Sequence, residues 1–389
     1  MAGDDPKGPK DKFVSSSTNV TAVVPPVGRS TTSPGIPAVV PHSASGPTQG
    51  WTPPAFDEQA ASALPAPIEG TVADFQVRIA ANLTVGHPEL SDLIKECSGL
   101  TFSRGQLVAV SQRAAFVEMI DPTTLVHRRV ELPRGGALAA AGLRAGATLE
   151  LEAVVATRDW RGDFLMAFGA GTHPGVQRVV RMRVGAGEMD LSVVEAQRLY
   201  RALWELPGLA TSALNIEGAA WVRPQGAPAV IRLCHRGNGK ARGNVEPASA
   251  TVDIRLDVLI AYLERARRNP DAQMGDDVVS LRRYRIGAVD GVAYGFSDAC
   301  GLADGRMLFV AAAERCVDVG IPGKNYGTAL GVIDGKGALK WAPIREADGS
   351  VSTSKAAALT IDDGGNVYVA LAGGREAPRL VKLEIEGKL

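Results

Sequence analysis

The sequence predicts an all-β chain folded as a five-bladed β-propeller closed by an N-terminal strand, and two observations carry that prediction. The first is a shared plan in five stretches: a short apolar strand led by a small or acidic residue, a turn, then a second apolar strand. They read ECSGLTFSRGQLVAVSQ from Glu96, LEAVVATRDWRGDFLMAFG from Leu151, IEGAAWVRPQGAPAVIRLCHRG from Ile216, SDACGLADGRMLFVAAAE from Ser297 and KAAALTIDDGGNVYVALAGG from Lys355. A strand pair returning every ~40–60 residues is the signature of small antiparallel sheets repeated around an axis. The second is the strand count: the last unit is one strand short, and residues 75–81 form a spare alternating strand at the front.

The elements follow from apolar runs bounded by turn residues. The first blade takes residues 99–102, 107–110, 116–120 and 128–132; the second takes 153–156, 164–168, 179–184 and 191–195. The third takes 218–222, 230–233, 250–256 and 279–286. The fourth opens with a short inner strand at 301–302, then 307–311, 329–333 and 339–343; the fifth has 357–361, 367–371 and 380–385. Adding residues 75–81 to the fifth closes the ring and removes two edges that would template aggregation. Six blades is the alternative, if an irregular one lies within residues 185–295. Two short inserted helices are expected between blades. One is EAQRLYRALWEL (195–206), with Leu199, Leu203 and Leu206 on one stripe; the other is DVLIAYLERARR (257–268), with Asp257 as N-cap.

Residues 1–68 are rich in Pro, Ser, Thr, Gly and Ala and lack apolar periodicity, so they are expected to be a disordered tail before a propeller domain over 69–389. Of the 389 residues 45% are hydrophobic, enough for a large core, and the formal net charge of zero removes the electrostatic footprint of a nucleic-acid binder. No apolar run approaches the length of a membrane span. The N-terminus is hydrophilic, without the apolar segment of a secretory signal, and the four cysteines lack CxxC spacing. Free thiols and a soluble, cytoplasmic chain are the expectation. Nucleophile elbow, HExxH, zinc spacing and a dinucleotide-binding glycine motif are all missing, which leaves serine-hydrolase and dehydrogenase readings without support.

The motifs LEA, NIEGAA with RGNG, GFSDA, TALGVID and the final KAAAL, in order over about residues 90–387, resemble an uncharacterised bacterial propeller family, a domain of unknown function. More loosely, the inner-strand pattern is similar to gluconolactonase-like and phytase-like esterase propellers. That resemblance implies acidic residues that enter the channel and hold a divalent cation. In the family the last inner strand usually opens with Lys, an apolar residue and Glu-Gly. Here Lys355, Ala356, Ala357 and Ala358 stand there, so the implied acid is missing.

Aligning the five inner strands puts Ser98, Glu152, Glu217, Asp298 and Ala357 in equivalent places at one mouth of the channel. Oxygens from Glu152, Glu217 and Asp298, with Asn215, Ser297 and backbone carbonyls, suit Ca²⁺ or Mg²⁺. The same acids have a structural reading, in which they accept backbone N–H bonds and stiffen the ring. A second candidate is HRGNG, residues 235–239, at the end of a second strand. There Arg236 can fork onto a carboxylate or phosphate, His235 titrates near neutrality, and Asn238 and Lys355 complete a ligand-binding set. Arg236 reads equally well as a salt bridge to Glu217 or Glu152. The other second-strand ends are Gln112-Arg113, the GAGTH of residues 169–173, and Glu314-Arg315. The expected function is binding of a small polar ligand or divalent cation at the mouth, extended, if catalytic, to metal-assisted hydrolysis of an ester, lactone or phosphate. The alternative is a non-catalytic protein-interaction scaffold tethered by the tail.

Overall fold

Small residues cluster at the start of each repeat, which lets the leading strands lie side by side around a common axis. The computed structural model describes residues 64–95, 97–112, 116–132, 149–159, 162–183, 190–209, 213–238, 245–274, 278–316, 323–372 and 377–389. The expected tail, apart from residues 64–68, lies outside them. The described chain is mostly β. It opens with β1 (Ile68–Glu69), β2 (Thr71–Val72) and β3 (Gln76–Asn82). The first sheet is β4 (Cys97–Ser103), β5 (Gln106–Ser111), β6 (Phe116–Ile120) and β7 (His127–Glu131). The second is β8 (Leu151–Asp159), β9 (Gly162–Gly169), β10 (Arg178–Arg183) and β11 (Asp190–Glu195). The third is β12 (Ile216–Val222), β13 (Val230–His235), β14 (Ser249–Arg255) and β15 (Val278–Arg285).

A small hairpin of β16 (Ala288–Val289) and β17 (Val292–Ala293) precedes the fourth sheet, β18 (Gly295–Gly301), β19 (Met307–Arg315), β20 (Lys324–Ile333) and β21 (Leu339–Arg345). The fifth is β22 (Lys355–Ile361), β23 (Val367–Ala372) and β24 (Arg379–Glu386), completed by β3, which pairs antiparallel with β24 from Asn82↔Val381 to Gln76↔Glu386. The expected closing strand is thus in place. It also meets β21 in parallel, Val77 opposite Ile344. The two strands before it act likewise: β1 lies parallel on β15 and β2 parallel on β21. Residues 68–82 therefore run along the outer edges of three sheets in succession. The inner strand of the fourth sheet is Gly295–Gly301 rather than 301–302. Its polar Ser297 and Asp298 hid it in the sequence.

Apolar side chains fill the seams between sheets. Leu308, Val310 and Leu330 meet Leu359, Val369 and Leu371 between the fourth and fifth sheets. Leu100, Leu107 and Ile120 of the first meet Ala358, Tyr368 and Ala370 of the fifth. Three further clusters fill the remaining seams. The leading strands follow the same cycle, β4 packing on β8, β8 on β12, β12 on β18, β18 on β22 and β22 back on β4. Cys97, Cys234, Cys300 and Cys316 are free thiols.

The helix Gln197–Glu205 joins the second and third sheets and buries Leu199, Tyr200, Leu203 and Trp204. The other expected helix, Leu256–Ala266, interrupts the third sheet between β14 and β15 instead of lying between sheets. Its N-cap is Arg255, because β14 runs straight into the helix; Asp257 falls in the first turn, where its carboxylate accepts the Val258 N–H at 2.9 Å. A third helix, Pro88–Ile94, packs Leu90 and Ile94 into the seam between the first and fifth sheets. No helix among the described residues is long and apolar enough to cross a membrane.

Candidate functional site

Every leading strand carries a β-bulge at the same place. The register skips one residue between Cys97 and Gly99, Leu151 and Ala153, Ile216 and Gly218, Phe296 and Asp298, and Ala356 and Ala358. The bulged residues are therefore Ser98, Glu152, Glu217, Ser297 and Ala357. A bulge re-aims one side chain out of the ladder. This corrects the expected alignment: Ser297, not Asp298, is the counterpart of Glu152 and Glu217.

Asp298 stands one place further, where the other strands carry Gly99, Ala153, Gly218 and Ala358. The position is crowded, since a Cβ on Gly218 would lie 2.9 Å from the Asp298 Cα. The Asp298 carboxylate is fully buried. Its Oδ1 accepts the Ala299 N–H at 2.8 Å, and its Oδ2 accepts those of Leu359 at 2.8 Å and Leu100 at 3.3 Å. One side chain thus ties β18 to β22 and β4. Burial pushes its pKa well above the carboxylate range against the pull of these three donors.

The mouth residues come from all five sheets and form two polar groups, one linking the third, fourth and fifth sheets and the other pairing the first with the second. Glu217 accepts at Oε1 from Asn215 Nδ2 (2.8 Å) and Arg236 Nη1 (3.0 Å). The other arm of Arg236 donates to Glu314 Oε2 at 2.6 Å, and the Gly323 N–H donates to Glu314 Oε1 at 2.7 Å. Lys355 Nζ stands 3.8 Å from Glu217 Oε2 and 3.6 Å from Glu314 Oε2. Asn238 Oδ1 accepts from Asn215 Nδ2 at 3.2 Å, and Gln112 Nε2 donates to Glu152 Oε1. The backbone turns back beyond Arg236 through Gly237, whose φ of +73° and approach to Ala248 leave no room for a side chain. Glu314 and Gln112 are members that the sequence offered only as second-strand ends.

The charges differ in how they are held. Burial opposes ionisation of Glu217, but Arg236 and Lys355 outweigh it and keep its pKa below the usual value. Glu314 is lowered in the same way by Lys355 and Arg236. Burial also works against the Arg236 charge, and the two glutamates overcome it and raise its pKa. Glu152 is in no ion pair among the described residues: burial first, then the neighbouring Glu217 charge, outweigh the Gln112 hydrogen bond and the Lys355 charge and push it up to about 8. His235 is fully buried, and its Nδ1 accepts the Asn215 N–H at 3.1 Å. Burial lowers its pKa to about 4, so it stays neutral near pH 7 and holds the strand end in place.

A pH dependence follows from Glu152. Its folded value of about 8 lies above the ordinary 4.5, so the folded protein binds a proton that the unfolded chain has released across that window. This favours folding at the acid end and is lost as pH rises through about 8. Relative to wild type, Glu152→Gln should gain stability from pH 5 to 9, by at most about 1.4 kcal/mol per pH unit. Urea melts across that range measure it, and a pH-independent difference contradicts the assignment.

The Ca²⁺ or Mg²⁺ expected on Glu152, Glu217 and Asp298 does not fit this donor set. Both Asp298 oxygens face backbone N–H groups, and Glu217 already carries a guanidinium and an ammonium. A hard cation needs several converging oxygens without other partners, and two of these three side chains already have theirs. Among the described residues no three His, Cys, Asp or Glu side chains are grouped to hold a metal ion.

Residues 149–372, more than half of the chain, match a family described as "Family of unknown function (DUF6910)". The chain belongs to that family. No curated protein matches it. Among solved structures, this DUF6910 chain is similar to the extracellular domain of a proposed one-component system from B. thetaiotaomicron (9% identical, 73% of this chain and 27% of that one, TM-score 0.29). It spans about a quarter of that protein's length. It is also similar to a gluconolactonase-like protein (11% identical, 81% and 93%, TM-score 0.32). A third is the PQQ-bound aldose sugar dehydrogenase from Streptomyces coelicolor (11% identical, 82% and 100%, TM-score 0.34).

Proposed function

We propose that this DUF6910 protein is a five-bladed β-propeller that binds a small polar ligand at the mouth lined by the bulged residues. The blade count is supported by the cycle of five leading strands and by the five apolar seams, the last joining first and fifth sheets. Within the described part of residues 185–295, only the two-residue strands of β16 and β17 lie outside these sheets, which leaves the six-blade alternative without support there.

The observation that carries the binding reading is Glu152. A carboxyl 8% exposed, next to a second carboxylate and, among the described residues, in no ion pair, is costly in a purely structural role. Such uncompensated groups concentrate where a ligand completes the set. Metal-assisted hydrolysis is not carried forward, since the donors do not fit the metal. The tethered-scaffold alternative rests on residues 1–68, and no described residue favours it.

Thermal melts of the full chain against a panel of small polar compounds test the reading. Compounds that raise the melting temperature of wild type are expected to lose that effect in Glu152→Gln and to keep only a smaller one in Ser297→Ala, and a chelator is expected to change neither. Stabilisation that survives both substitutions would place the ligand elsewhere.

A further inference from the structure

We infer, building on that binding site, that the ligand of the mouth carries a primary ammonium group seated against Glu152, with Glu217 and Ser297 beside it. The chain itself shows the pattern. Of the three mouth carboxylates, Glu217 and Glu314 each receive the Arg236 guanidinium and lie within 4 Å of the Lys355 ammonium. Glu152 is hydrogen-bonded, among the described residues, to the neutral amide of Gln112 alone. Among the described residues two acids therefore have paired cations, and the third has none.

An independent observation lies at Ser297. Its hydroxyl is 1% exposed and has no hydrogen-bond partner among the described residues. The bulge in β18 gives it the place in its strand that Glu152 and Glu217 have in theirs. A buried hydroxyl left unpaired costs free energy that a ligand recovers. An ammonium has three N–H donors; Glu152 and the Ser297 hydroxyl are acceptors outside any ion pair among the described residues, and Glu217 Oε2, 3.8 Å from Lys355 Nζ, has lone pairs left for a third bond.

Competing ligand classes fit less well. An anion would meet Glu217 and draw Lys355 away from two carboxylates. A neutral polyol brings no charge to balance Glu152 once it ionises beside Glu217. A divalent ion lacks the oxygens. The charged groups acting on Glu152 are Glu217 of β12, Lys355 of β22 and Glu150 just before β8. Among these Lys355 is the cation, and its ammonium stands 3.8 Å from Glu217 and 3.6 Å from Glu314. The raised value of Glu152 near 8 is the proton standing in for the missing cation, so binding near pH 7 releases a proton.

The test is calorimetric titration of the full chain at pH 7 with butylammonium, acetate and glucose, in two buffers of different ionisation enthalpy. Butylammonium is expected to bind wild type with proton release. Its affinity should fall about tenfold or more in Glu152→Gln and by a smaller factor in Ser297→Ala, as loss of a charged and of a neutral hydrogen bond implies. Unchanged melting of each free variant at pH 5 shows that the loss is not unfolding. Butylammonium binding that Glu152→Gln leaves intact overturns the inference. Binding of acetate or glucose that depends on Glu152, with none of butylammonium, overturns the ammonium and keeps the mouth as a binding site. Heats absent for all three overturn both.

Discussion

Asp298→Ala is expected to be among the most damaging single substitutions in this protein, costing about 3 kcal/mol or more. The carboxylate accepts N–H groups from Leu100, Ala299 and Leu359, which belong to the first, fourth and fifth sheets. Removing it leaves three buried N–H donors without this acceptor, and an unpaired buried donor costs about 1–3 kcal/mol. Asp298→Asn should fall between the two, since its amide keeps one acceptor but sets an NH₂ against a backbone donor. Equilibrium melts in urea measure both. The comparison also separates this role from metal binding: a chelator should leave the order of the three proteins unchanged. A cost below about 1 kcal/mol for Asp298→Ala would mean that water replaces the carboxylate without loss.

The difference between Asp298 and its neighbours marks where the sequence was legible. Strands with unbroken apolar runs, such as LVAV within β5 and VYVALA of β23, were found nearly to the residue, because burial on both faces writes itself into composition. The leading strand of the fourth sheet was not, since GFSDACG has two polar residues at its centre. Asp298 is accommodated there because Leu100 and Leu359 of neighbouring strands supply N–H groups, and no local pattern records that. The bulge is equally invisible: it shifts Asp298 one place from the row of Glu152 and Glu217 while leaving the order of residue types intact.

The mouth was half legible. Glu152, Glu217, Arg236, Asn238 and Lys355 come together as the strand starts and ends suggested, whereas His235 is turned into the structure and Asp298 into the axis. Glu314 and Gln112 were visible as second-strand ends, but only distances show that one completes the Arg236 fork and the other is the partner of Glu152. The helix Pro88–Ile94 left a fainter trace: a proline at its first turn, with Leu90 and Ile94 four apart on one face.

Ring closure gives the second large effect. Val77 lies in β3, 1% exposed, opposite Ile385 of β24 and Ile344 of β21, so one side chain joins the fourth and fifth sheets. Val77→Asp places an unpaired carboxylate in that seam, at an expected cost of about 3–5 kcal/mol. Val72, five residues earlier in β2, is 70% exposed, and Val72→Asp should stay within about 0.5 kcal/mol of wild type. The pair separates closure from mere presence of the segment, because both strands dock on outer edges but only β3 bridges two sheets. Hydrogen exchange supplies the finer reading. In Val77→Asp the amides of Arg379–Glu386 should lose protection together with those of Leu339–Arg345, as one opening unit, while the first and second sheets hold. Loss confined to β24 would mean that the contact with β21 adds nothing, and that the ring is latched on one sheet alone.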